Sequence, residues 1–194
     1  MMQLLLFALL GGAPELPENP GIYQERFEPE DSLPVRYTLS IPKGYEPDQP
    51  VPLVLALHYG GRVTPYYSKG FLLELVGPGL RGLEAIIVAP DCPSPDGWNN
   101  PESDKAVTAL LQHLLEHYEI DRSRLLVTGY SMGGHGTWYM AAEHPDLFTA
   151  AIPMAGAPGH GTLEKMGDIP ICVVHSSDDQ VVPIQPARDA VKEL

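Results

Sequence analysis

The sequence predicts an α/β fold with a mostly parallel sheet and flanking helices. Three observations predict it. Apolar runs of strand length recur at Val51 to Leu57, Ile86 to Ala89, Leu125 to Thr128, Ala150 to Ala155 and Ile171 to Val174. Segments of helical period separate several of them, and strands that alternate with helices form βαβ units. The runs end in tight or reactive residues: His58-Tyr59-Gly60, Asp91, Ser131, Gly156, and His175 with Asp178 and Asp179. In open sheets of this kind, chemistry gathers at the carboxyl ends of the strands.

Length and composition set the frame. A chain of 194 residues, 44% apolar, suits one domain with a real core. A net charge of −13 argues against nucleic acid and anionic membrane surfaces as partners, because no basic stripe is present to neutralise phosphates. The two cysteines, Cys92 and Cys172, form no spaced framework, and the apolar surroundings of Cys172 predict a buried thiol.

In chain order, Leu4 to Leu10 is too short to span a bilayer. It fits the apolar region of a signal peptide, with Gly11 and Ala13 as a small-residue cleavage site, although no Lys or Arg precedes it. Export and a cytoplasmic location both stay open. Ala13 to Glu30, rich in Pro and Glu, reads as a loosely attached arm. Residues 1–30 are therefore set apart from a single α/β domain over 31–194. Val35 to Ile41 alternates as a half-exposed strand, and Pro42 to Pro50 is turn chemistry. Glu102 to Tyr118 has helical period, with Ala106, Val107, Leu110, Leu111, Leu114, Leu115 and Tyr118 on or near one side. The tail from Gln185 to Leu194 starts a further helix.

The most informative stretch is Gly129-Tyr130-Ser131-Met132-Gly133, a G-x-S-x-G match. A strand precedes it, and a helical segment runs from Trp138 towards His144-Pro145, where the proline stops it. Strand, tight turn and helix are the context a nucleophile elbow requires. Ser131 then sits in a strained conformation, with the positive end of the helix aimed where an oxyanion would form. A serine hydroxyl needs a base to take its proton, usually a histidine oriented by a carboxylate.

Three further stretches carry a resemblance. These are Pro52-Leu-Val-Leu-Ala-Leu-His-Tyr-Gly-Gly61, Glu143-His-Pro-Asp-Leu-Phe148 and Val173-Val-His-Ser-Ser-Asp-Asp-Gln-Val-Val-Pro183. With the elbow, they resemble the α/β-hydrolase superfamily, and within it the phospholipase/carboxylesterase and dienelactone-hydrolase-like esterases. Ala89-Pro90-Asp91-Cys92-Pro93 is also similar to a segment of the esterase-like "predicted peptidase" group. The resemblance implies an α/β-hydrolase fold, a small-molecule ester substrate and no cofactor. It implies Ser131 as nucleophile and Asp179 as acid, with Asp178 the neighbour one residue off. It implies oxyanion donors at the backbone of Met132 and of Gly60 or, second, Tyr59.

Two departures accompany it. The family's usual His-Gly is His58-Tyr59 here. The family's catalytic histidine follows the acid, yet none of the 15 residues after Asp179 is histidine. The expectation is a chain that lacks the last strand, the last helix and the base, with His160 as the alternative base. Tyr66, Tyr67 and Phe71, with Trp98 opposite, are candidates for an aromatic substrate pocket. His113-Leu-Leu-Glu-His117 matches an inverted zinc-protease pattern, but these residues lie opposite the apolar side of their helix and read as a solvated face. His135 and His144 read as structural, and His58 as a brace of the oxyanion segment. The rival functions are a peptidase of the prolyl-oligopeptidase type and a non-catalytic binding domain.

Overall fold

The computed structural model describes residues 16–62 and 64–194, so the signal-like stretch Leu4 to Leu10 and the cleavage-like residues Gly11 and Ala13 lie outside the described residues. Six strands form one sheet: β1 (Gly21–Phe27), β2 (Val35–Ile41), β3 (Val51–Leu57), β4 (Ile86–Pro90), β5 (Ile120–Tyr130) and β6 (Ala150–Met154), in the order β1-β2-β4-β3-β5-β6. β4, β3, β5 and β6 run parallel, and β2 and β1 extend the sheet antiparallel.

β3 shows why the sheet is central. It is apolar throughout, and successive side chains point to opposite faces. Leu53, Leu55 and Leu57 enter one buried cluster together with helix α3 (Pro101–His117) and with Trp138, Met140 and Ala141 of helix α4 (Met132–Glu143). Val54 and Ala56 enter the other, with Phe71, Leu72 and Val76. Those three belong to an irregular helical run of α1 (Ser68–Phe71), a π-helical turn at Leu72–Val76 and α2 (Gly77–Gly79). α3 starts cleanly because the Asn100 side chain accepts the N–H groups of Glu102 and Ser103, and Pro101 occupies the first turn. Helix α5 (Gln185–Glu193) lies where the tail pattern predicts it.

Three expectations are corrected. The arm over Ala13 to Glu30 contains strand β1, paired with β2 along its full length from Gly21↔Ile41 to Phe27↔Val35. As an edge strand it alternates half-buried and exposed residues and needs no continuous apolar run. Ile171 to Val174 is not a regular strand. It joins β6 through bridges Ala151↔Ile171 and Met154↔Val174, and the rung between them is broken because Pro153 has no N–H to give. Cys172, on this outer edge, is exposed rather than buried.

Candidate active site

Ser131 occupies the turn between β5 and α4 with φ 55° and ψ −112°, a left-handed conformation that a serine adopts only when its surroundings impose it. Those surroundings are backbone. A Cβ on Gly133 would lie 1.8 Å from the Leu57 carbonyl oxygen, and one on Gly129 would lie 2.2 Å from the Gly133 oxygen. Only glycine lets the strand, the turn and the helix cross this closely. The Ser131 N–H donates to the Met154 carbonyl (2.9 Å), and the Ser131 carbonyl accepts from His135 (3.0 Å).

Met132, next to the serine, lies between two glycines. A Cβ on Gly60 would be 3.7 Å from the Met132 Cβ, and one on Gly97 would be 3.4 Å from its Sδ. The exposed backbone at Gly60 therefore faces the start of α4. Tyr59 places its ring in an aromatic cluster with Tyr67 (5.6 Å between centroids), Phe71 (6.3 Å) and Tyr130 (6.1 Å).

His58 is fully buried at the end of β3. Its Nε2 accepts the Cys92 N–H (2.9 Å), which leaves Nδ1 to carry the proton and donate to the Tyr59 carbonyl (2.7 Å). Burial lowers its pKa, against the opposing pull of the Tyr59 carbonyl and Asp91. A neutral imidazole with both nitrogens committed is a brace. Trp98 completes it: the ring is 2% exposed and its Nε1–H donates to the His58 carbonyl (3.0 Å). Trp98 thus packs beneath the site. Tyr66 has a φ of 60°.

The segment that carries Asp179 follows the outer edge of β6. Val174 bridges Met154, the residue whose carbonyl holds Ser131. One Asp179 oxygen accepts the N–H groups of Val181 and Val182, each at 2.9 Å, and the other lies 3.6 Å from His175 Nε2. The N–H groups of Val182 and Val181 hold the Asp179 carboxyl below the ordinary carboxylate range, and His175 adds to this. His175 in turn contacts the Val182 carbonyl (2.8 Å). Asp178 is exposed, and its own N–H donates to Ser176 Oγ.

The seven histidines can each be placed. His135 pairs with the Ala157 carbonyl, and His144 pairs with Asp104 across α3 and α4. His113 stacks on Phe27 at 4.8 Å, and His117 is exposed beside Tyr118. His160 is exposed in a hollow it shares with Glu164 and with Asp189 and Glu193 of α5.

Two placements come from the structure alone. Tyr130, the first variable residue of the G-x-S-x-G motif, is 42% exposed beside Ser131. Asp91 is buried and accepts the backbone N–H groups of Tyr66 (2.6 Å) and Ser68 (3.0 Å).

Similarity to known proteins agrees with this geometry. A thermostable esterase of known structure superposes with a TM-score of 0.78 at 35% identity, over 89% of this chain and 51% of that one. The chain belongs to the α/β-hydrolase superfamily. Within this superfamily, residues 100–191 match a family model described as PET hydrolase-like. A probable feruloyl esterase C of Aspergillus terreus is 30% identical over 154 residues, which cover 76% of this chain and 56% of the relative. Acetylxylan esterase A of Emericella nidulans is 30% identical over 118 residues, 55% of this chain and 38% of the relative. This α/β-hydrolase chain spans about half the length of the relatives it matches.

Proposed function

We propose that the chain carries the nucleophile and the acid of a serine carboxylic ester hydrolase. The observation that carries this reading is Ser131 at its strained turn, with Gly129 and Gly133 in backbone contact around it. Relatives named feruloyl and acetylxylan esterases support esters as the substrate class. Ser131 Oγ attacks the ester carbonyl, and the tetrahedral oxyanion accepts hydrogen bonds from the N–H groups of Met132 and Gly60. The alcohol leaves with a proton, and water then releases the acid from the acyl-serine. Asp179 orients the histidine that shuttles the proton. His58 has both ring nitrogens engaged, and the engaged nitrogens of His135, His144 and His175 meet Ala157, Asp104 and Val182 rather than Ser131, so none of them is assigned as the base in this reading. His160 borders a hollow whose lining does not include Ser131.

Tyr130 and Tyr59, with Tyr67 and Phe71 behind, present an aromatic wall next to the serine. Such a wall suits an aromatic acyl group by edge or offset stacking, worth about 0.5–1.5 kcal/mol per ring pair. The test is hydrolysis of methyl hydroxycinnamates, p-nitrophenyl acetate and matched amides, with imidazole added as a free base and Ser131→Ala as control. Imidazole-dependent, Ser131-dependent cleavage of the esters is expected. Cleavage of amides in preference to esters would overturn the reading in favour of a peptidase.

A further inference from the structure

The chain leaves β3 at His58 and rejoins the body of the protein at Ser68, and one short stretch beyond β4 holds both ends. Cys92 donates its N–H to His58 Nε2 at the outgoing end (2.9 Å). Asp91 accepts the N–H groups of Tyr66 on Oδ2 (2.6 Å) and Ser68 on Oδ1 (3.0 Å) at the returning end. The Asp91 side chain is 5% exposed, and its own N–H is tied to the Arg36 carbonyl (2.7 Å), so the carboxylate is fixed to the β2–β4 pair. Arg36 Nε lies 3.6 Å from Oδ2 and is itself half exposed. Each carboxylate oxygen thus has one amide, and ionised acceptors bind amides about twice as strongly as neutral ones do. Tyr66 needs such a hold, because its φ of 60° is costly for a bulky residue.

We propose that Asp91 is a positioning residue for the oxyanion segment. By fixing Tyr66 and Ser68 it sets where the Gly60 backbone stands relative to Met132. Asp91 touches no reacting atom in this account and acts through the segment it holds. The inference rests on the esterase reading, and two measurements keep their failures apart.

The first needs no chemistry. Amide hydrogen exchange by NMR is followed in the full chain, in Asp91→Asn and in Arg36→Gln. Asparagine is isosteric but offers one acceptor oxygen and turns an NH2 towards the other amide. Exchange at Tyr66 and Ser68 is expected to rise at least tenfold in Asp91→Asn, with Leu55 and Val127 in the sheet unchanged. Arg36→Gln, which keeps both amide bonds, is expected to match the parent. Unchanged exchange at Tyr66 and Ser68, or equal loosening of the sheet, overturns the proposal.

The second is the saturation kinetics of fluorophosphonate at Ser131 with imidazole present. Asp91→Asn is expected to lower the limiting rate by about 10–100-fold, as loss of oxyanion alignment does, with half-saturation unchanged. A raised half-saturation with the same limiting rate overturns the positioning role. A parent chain that fails to react at Ser131 overturns the esterase reading, and the exchange measurement still decides whether Asp91 holds the segment.

Discussion

Gly133→Ala is the sharpest perturbation of the elbow. The added Cβ would lie 1.8 Å from the Leu57 oxygen, 2.5 Å from the Leu57 carbonyl carbon and 2.8 Å from the His58 oxygen. All three are backbone atoms at the end of β3 or of the residue after it, so no side chain can swing away. Restoring an ordinary C···O separation of about 3.3 Å requires α4 and β3 to part by about 1.5 Å. Overpacking of this kind costs about 3 kcal/mol or more. Alanine returns about 1 kcal/mol of helix propensity, since Gly133 lies within α4. The net expectation is a loss of about 2 kcal/mol or more, a fall in Tm of roughly 4–8 °C or beyond for a chain of this size. Reactivity of Ser131 should fall about 100-fold even where the protein stays folded, because a shift of about 1 Å in a catalytic group has that effect. Urea and thermal unfolding followed by circular dichroism give the first number, and fluorophosphonate labelling with imidazole gives the second. Gly70→Ala is the control: it sits in α1 with nothing within 4 Å of the new Cβ, and should be neutral or stabilising by up to about 1 kcal/mol. Gly133→Ala within about 0.5 kcal/mol of the parent, with labelling intact, would refute the reasoning.

The other predictions concern charge and exposure. Cys172 is exposed while burial pushes the Cys92 thiol up to about 11, so a disulfide reagent at pH 8 should modify Cys172 in the folded chain and Cys92 only on unfolding. The hydrogen bond that His144 donates to Asp104 raises the His144 pKa, so the pair stabilises most below the unfolded value near 6.5 and its contribution fades as pH rises through the folded value. The stability difference between the parent and His144→Gln should therefore shrink from pH 5.5 to pH 8, and a difference that grows would contradict the assignment. His58 has the opposite sign: its lowered pKa means that its contribution is complete above about 6.5 and is lost as pH falls through the folded value, which His58→Gln should abolish. Asp179→Asn should cut imidazole-dependent ester cleavage at least tenfold while Asp178→Asn leaves it within twofold, because only Asp179 is held by the Val181 and Val182 amides; equal effects would reverse the choice of acid.

How far the sequence could be read depended on how local each feature is. The elbow was legible because strand, turn and helix are contiguous, and each glycine has a steric reason within ten residues or against β3. The buried strands β3 and β4 were legible because both faces are covered. β1 was not, since Gln24, Glu25 and Arg26 are acceptable on an edge with one half-buried face. Cys172 was misread for the converse reason: an apolar run says nothing about whether a neighbour covers it. Trp98 and Asp91 stood out in the sequence, as a pocket candidate and as a strand end, but their bracing roles did not, because their partners lie 40, 25 and 23 residues away and are backbone atoms, which leave no mark on composition. His58 was legible as a brace only from its place at the end of β3; the contact that fixes its tautomer comes from Cys92, 34 residues on.

The most direct test of the central claim, that Ser131 is an esterase nucleophile, is fluorophosphonate labelling of the 194-residue chain with and without imidazole, read by intact mass and peptide mapping. The account predicts one adduct, on Ser131, formed slowly alone and much faster with imidazole, and absent from Ser131→Ala. A folded chain that forms no adduct at Ser131 in either condition would contradict it.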